Sequence, residues 1–149
     1  MLLLLSFISC KAYAFEDEEA RVFAGFVKSV AQTTQGGNHG SLCTFGGDEI
    51  SKIINSDHSV INLNDQSDKF SSCKVIYVAQ DKNKAIKFDA VKFNAKKILT
   101  IATFDGFIEN GGMLKVEMGR RNLEVTLNTK LIKESGIKLN SLVMDFVIN

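Results

Sequence analysis

A chain of 149 residues with 45% hydrophobic and 23% charged side chains has apolar material for one packed core and too little length for a second. Its 18 basic residues against 17 acidic ones leave no cationic excess to drive binding to nucleic acid. It has no Pro, no Trp and no compositionally biased tract, and shows no linker and no internal repeat.

Leu2 to Ile8 form an almost wholly apolar run, too short for a bilayer core that needs about 20 such residues, and Ala12-Tyr13-Ala14 follows it. This pattern predicts a signal peptide over 1–14, cleaved after Ala14, and hence export. No Lys or Arg precedes the run, a departure from the usual signal that is compatible with a start further upstream. Cys10 would suit a lipoprotein, but Phe7 stands where such signals carry an aliphatic residue. Loss of the leader removes Lys11 and no acid, leaving 17 basic against 17 acidic side chains. No later run reaches spanning length, so the exported protein is expected not to be membrane-embedded. Cys43 and Cys73 then remain as an even number of cysteines in an oxidising compartment, which predicts one disulfide; the alternative is two buried thiols.

From Glu16 to Gln32, Ala20, Phe23, Phe26, Val27 and Val30 fall at helical spacing behind an acidic first turn, which predicts an amphipathic helix. Gly36 to Gly40 read as a loop, Ser41 to Phe45 as a short buried strand, and Asp48 as the cap of a helix over Glu49–Asn55. Ser59–Leu63 is a weaker strand. Lys74–Ala79 is a stronger one, nearly continuous in Val75, Ile76, Tyr77 and Val78, as a strand covered on both faces should be. Asp81–Phe93 follows as a helical or irregular connection, and Lys97–Thr103 as another β-branched strand.

Phe104 to Gly112 then mixes aromatics with three glycines in a bend. Leu114, Val116 and Met118 alternate with polar residues, Gly119 to Asn122 turns the chain, and Leu123, Val125 and Leu127 alternate again, predicting an antiparallel hairpin. Thr129–Ser135 reads as a helix stopped by Gly136, and Leu139, Leu142, Val143, Phe146 and Val147 keep helical spacing to the end. The fold class expected is a single α/β domain over 15–149, with a mixed, mostly parallel sheet, a C-terminal hairpin and helices packed on it.

The chemistry-bearing residues read as structural. His39, Cys43, His58 and Cys73 lack the close ligand pairs that zinc sites use, so no metal is expected. Gly46-Gly47-Asp48 lacks the lysine of a phosphate loop, and neither histidine lies near a nucleophile signature. No catalytic residue and no cofactor is therefore expected. In the bend, Phe104 and Phe107 have two readings, core plug or contact surface. On the second, Phe104, Phe107, Glu109, Asn110 and Met113 form an anchor-and-rim surface for a partner. Gly111 and Gly112 are expected to be backbone requirements, by positive φ or close approach.

Leu99-Thr100-Ile101, Phe107, Gly111-Gly112-Met113 and Asn128, followed by Gly136-Ile137 and Ser141-Leu142, stand in the order characteristic of the YfiR-like periplasmic proteins. Upstream, a helix ending in Phe26-Val27, a C-x-x-G at Cys43 to Gly46 and a strand starting at Cys73 agree with it. The chain resembles that family over nearly all of 15–149. It departs from it in having Ala31 and Gln32 where Trp-Pro often follows the first helix, and in lacking a second cysteine pair, so redox sensing through that pair does not carry over. The resemblance implies a non-catalytic periplasmic regulator that holds the periplasmic part of an inner-membrane signalling protein, a diguanylate cyclase, and so acts on cyclic di-GMP and biofilm formation. A periplasmic small-ligand sensor is the alternative. Whether the protein also forms a homodimer is left open by both residues and resemblance.

Overall fold

The computed structural model describes residues 8–34, 42–64, 67–79 and 97–148. The loop expected over Gly36–Gly40, which holds His39, and the connection expected over Asp81–Phe93 lie outside them. Six strands form one sheet: β1 (Leu42–Phe45), β2 (Ile61–Asn62), β3 (Val75–Val78), β4 (Leu99–Ala102), β5 (Leu114–Met118) and β6 (Leu123–Leu127). Their spatial order is β2-β1-β3-β4-β5-β6, with β1 to β5 parallel and β6 antiparallel to β5. The fold is thus α/β, a mostly parallel sheet with the hairpin at its C-terminal edge.

Helix α1 (Ile8–Thr33) lays one stripe on the sheet, with Ala20, Phe23, Ala24, Val27, Val30 and Ala31 buried at the three- and four-residue steps of a helix. Burying each of its larger side chains, Phe23 or Val27, stabilises the fold by roughly 1.5 to 3 kcal/mol. The stripe belongs to a cluster with Leu42, Val75, Tyr77, Leu99, Ile101, Leu114, Val116 and Val125, which is one face of the sheet. The opposite face gathers Cys43, Ile76, Val78 and Ala102 with Leu63, Cys73, Ile98 and Phe107. Burial on both faces accounts for the unbroken apolar reading of β3.

Helix α2 (Glu49–Asn55) starts at Asp48, whose carboxylate accepts from Ser51 N at 2.7 Å while Asp48 N donates to Ser51 Oγ at 2.8 Å. This reciprocal cap satisfies two backbone donors at the helix start. The other oxygen of the same carboxylate accepts from the Tyr77 hydroxyl at 2.8 Å, and Thr44 Oγ1 donates to Asn55 Oδ1 at 2.6 Å, so α2 is tied to β3 at one end and to β1 at the other. A short 3-10 helix (Ser67–Ser72) brings Cys73 to β1, where it is bonded to Cys43 with the Cα atoms 5.8 Å apart. Both sulfur residues are buried, in the cluster that also holds Phe107.

Helix α3 (Thr129–Ser135) is capped by Asn128 and ends at Gly136 in the left-handed conformation. The last helix, α4 (Ser141–Met144), is shorter than the helical spacing to the C-terminus predicts. Beyond Met144 the chain turns to the open edge of β6, where Val125 N donates to Phe146 O at 2.8 Å and Ile148 N to Val125 O at 3.1 Å. Those edge groups need partners, and satisfying them outweighs another helical turn. Phe146 is also fixed edge-on to Phe26 of α1, with ring centroids 5.7 Å apart. At the other end of the sheet, β2 keeps only Ile61–Asn62 of the strand expected over Ser59–Leu63. Helix α1 extends N-terminally of Glu16, back to Ile8.

Two outcomes are expected. Replacing Cys43 and Cys73 together by Ser should lower unfolding stability by about 3 to 4 kcal/mol, the chain-entropy value for a loop of this length. Urea titration of the oxidised protein beside the double variant measures it, and equal midpoints would contradict it. Tyr77 is buried, and desolvation first, then the charge and hydrogen bond of Asp48, push its phenol well above the ordinary tyrosine range. The folded state therefore keeps a proton that an unfolded tyrosine releases near pH 10, so this contribution is complete below about pH 10 and is lost as pH rises further. Tyr77→Phe should cost about 1.5 to 3 kcal/mol at neutral pH through the lost bond to a carboxylate. Its stability should also fall less than that of the parent between about pH 9 and pH 11.

Candidate functional site

The connection from β4 to β5 is the unusual element of this sheet. Parallel neighbours are generally joined by a dozen or more residues, usually with a helix, but here β5 starts beside the end of β4, with Leu114 opposite Ile101 and Lys115 opposite Ala102, so the return is short. Here eleven residues lie between Ala102 and Leu114, and they contain no helix. The segment manages the return by coiling on itself: Asn110 N donates to Gly106 O at 3.0 Å, Gly111 N to Ile108 O at 3.0 Å and Gly112 N to Phe107 O at 2.8 Å. Gly106 and Gly111 take φ values of 82° and 92°, a region that costs a residue with a Cβ about a kilocalorie per mole or more.

Phe107 is the hub. Its ring is wholly buried with Ile76, Val78, Ala102 and the Cys43–Cys73 pair, and Phe104 meets it edge-on at 5.3 Å between centroids. Gly112 lies directly on the Phe107 ring, where any Cβ would overlap it. One residue later the Met113 side chain is buried in the cluster on the other face of the sheet, so the chain enters the sheet at Gly112-Met113 and runs on as β5. The entry is clamped by Met113 N donating to the buried Thr100 Oγ1 at 3.1 Å and by Asn128 N donating to Met113 O at 2.8 Å. The Asn128 side chain meanwhile accepts from Leu131 N, so one residue closes the hairpin and caps α3.

The surface of the segment is polar with a partly exposed apolar middle. Glu109 and Asn110 are exposed, and Phe104 and Ile108 are half-buried. Asp105 contacts Lys115 at 2.6 Å and Lys115 contacts Glu117 at 3.1 Å. Hydrogen bonding to Asp105 and then to Glu117 raises the Lys115 pKa, and Lys115 in turn lowers that of Asp105. Since Asp105 is solvent-exposed, this pair orients the segment over the hairpin more than it stabilises it.

The structure thus separates the five residues read as a partner surface. Phe104, Glu109 and Asn110 stand where a partner could reach them. Phe107 and Met113 have no exposed area and support the segment from beneath, a correction to their expected role as anchors, because an eleven-residue return must plug the core it crosses. Of the two readings of Phe107, the core plug describes this position. Ile108 and the Asp105–Lys115 contact were missed: Ile108 has no periodic neighbour to mark it, and ten positions separate the ion pair. Among the described residues no group of three or more His, Cys, Asp or Glu side chains is placed to hold a metal, and no helix is long and apolar enough to cross a membrane.

A family model described as YfiR/HmsC-like matches residues 20–146. The chain belongs to the YfiR/HmsC-like family. No curated protein matches it. In this YfiR/HmsC-like domain, the matched region runs from the buried stripe of α1 to Phe146, and so takes in both clusters, the disulfide and the whole crossover.

The contact between Gly112 and Phe107 gives a direct expectation. Gly112→Ala should destabilise the protein by about 1 to 3 kcal/mol, the usual cost of overpacking. In a Phe107→Leu background the same substitution should cost markedly less, because the opposing ring is gone. A cycle of four urea titrations reads the coupling, and an identical cost in both backgrounds would show that the ring does not restrict residue 112.

Proposed function

We propose that this protein is an exported, non-catalytic regulator that binds the periplasmic part of an inner-membrane signalling protein, a diguanylate cyclase, and thereby lowers cyclic di-GMP output and biofilm formation. Family membership over residues 20–146 is the observation that carries this reading. Export rests on the leader expected over 1–14. Cleavage after Ala14 would leave Glu16, Asp17, Glu18 and Glu19 in the opening turns of α1, where the helix dipole favours acids.

The partner surface we propose is the outer side of the β4–β5 connection. Phe104 and Ile108 offer apolar area, and Glu109 and Asn110 form a polar rim, the arrangement of a small anchored interface. The surface rests on Phe107, Gly112 and the disulfide cluster, so it is held on rigid structure despite having no helix or strand of its own. A binding site of this kind needs shape and no reaction chemistry, in keeping with a regulator.

Phe104→Ala and Glu109→Lys should each weaken association with the cyclase's periplasmic domain by about 1 to 3 kcal/mol and raise cyclic di-GMP in cells, Glu109→Lys with the melting temperature of the parent and Phe104→Ala with a modestly lower one through the lost edge contact with Phe107. Phe107→Ala should instead lose stability by about 3 to 5 kcal/mol, as for a buried aromatic. Unchanged binding by both surface variants would remove this segment as the interface. If deleting the whole gene leaves cyclic di-GMP unchanged, the regulator reading itself falls and a small-ligand sensor takes its place.

A further inference from the structure

The crossover carries the chain's one Asn–Gly step, Asn110-Gly111, at an exposed position. This dipeptide is chemically labile because glycine puts no side chain in the way of its own backbone nitrogen. That nitrogen, once deprotonated by solvent base, attacks Cγ of the asparagine. A C–N bond closes a five-membered imide, the Cγ–Nδ2 bond breaks, and the amide nitrogen leaves as ammonia after taking up a proton. Water then opens either imide carbonyl, giving aspartate or isoaspartate. The sum is one asparagine and one water converted to one acidic residue and one ammonia, with no other reactant.

The fold occupies both nitrogens that this reaction uses. Gly111 N, the nucleophile, donates to Ile108 O at 3.0 Å. Asn110 Nδ2, the leaving group, donates to Gly106 O at 2.7 Å, and Asn110 N donates to the same carbonyl at 3.0 Å. Gly106 can present that carbonyl because it sits at φ 82°, where a side chain would be strained. The amide nitrogen is therefore held toward residue 106.

We propose that Asn110-Gly111 is a site of spontaneous deamidation held in check by the Gly106–Gly111 turn, so that conversion proceeds only when the turn opens. Conversion deletes the Nδ2 donor to Gly106 O and sets a second carboxylate beside Glu109. The modified protein therefore presents a more acidic and less firmly tied surface at this point of the crossover.

Folded protein and the same chain in concentrated urea, incubated at one mildly alkaline pH, are compared by peptide mapping with fragmentation. Fragmentation separates residue 110 from Asp105-Gly106, which can form the same imide. The denatured chain should accumulate aspartate and isoaspartate at 110 at least about tenfold faster than the folded one, the ratio expected if reaction requires local opening. Gly106→Ala, verified as folded by its melting transition, should narrow that gap. Should Gly106→Ala fail to fold, Asn110→Gln serves as the second variant, and in urea it should show far less conversion at 110 than the parent, because the ring would need a sixth member. Equal rates in folded and denatured protein would overturn the proposal, as would a denatured chain that leaves residue 110 intact.

Discussion

Phe107 lies against the bare backbone of Gly112 at the point where the chain leaves one face of the sheet and enters it as β5. That contact and the stagger that sets Leu114 beside Ile101 go together with a connection of eleven residues that has no helix. A longer connection could wander over the surface; this one has to coil and plug within its own length. Two glycines at positive φ, three internal backbone hydrogen bonds and one ring buried in the core are the means. The next residues inherit the result, because Met113 is clamped by Thr100 and Asn128 and so sets the register in which the hairpin leaves the sheet.

The same geometry links stability to the surface proposed for binding. The ring of Phe107 and the Cys43–Cys73 bond share one apolar cluster, so the disulfide and the segment lie on the same face of the sheet as one packed unit. Loops that bind are usually mobile, and ordering them on contact costs affinity. Here the segment's outer residues, Phe104, Ile108, Glu109 and Asn110, are carried on a plug that is already in place. The opposite face is committed to α1, α2 and α3.

How much of this was legible in the sequence depended on the range of the interactions. The hairpin was readable from Leu114 to Leu127 because strand periodicity and turn residues are local, and the Asp48 cap was readable for the same reason. The expectation that two cysteines remain after loss of a leader, in an oxidising compartment, was enough to predict their bond. The C-terminal helix was overextended because Leu142, Val143, Phe146 and Val147 keep a helical period that the free edge of β6, far away in sequence, overrides. Phe107 could be core or surface from its neighbours alone, since nothing near it says that β4 and β5 would lie side by side. The Tyr77–Asp48 bond, which ties α2 to β3 across 29 positions, was invisible for the same reason.

If the crossover is part of the core, its inner amides must open only when the whole domain unfolds. Native-state hydrogen exchange in low concentrations of urea tests this most directly. The account predicts that the amides of Gly112 and Met113 exchange with the same free energy and urea dependence as those of Val75 to Val78. Exchange of Gly112 and Met113 at a clearly lower free energy, insensitive to urea, would instead show a crossover that detaches from an intact sheet.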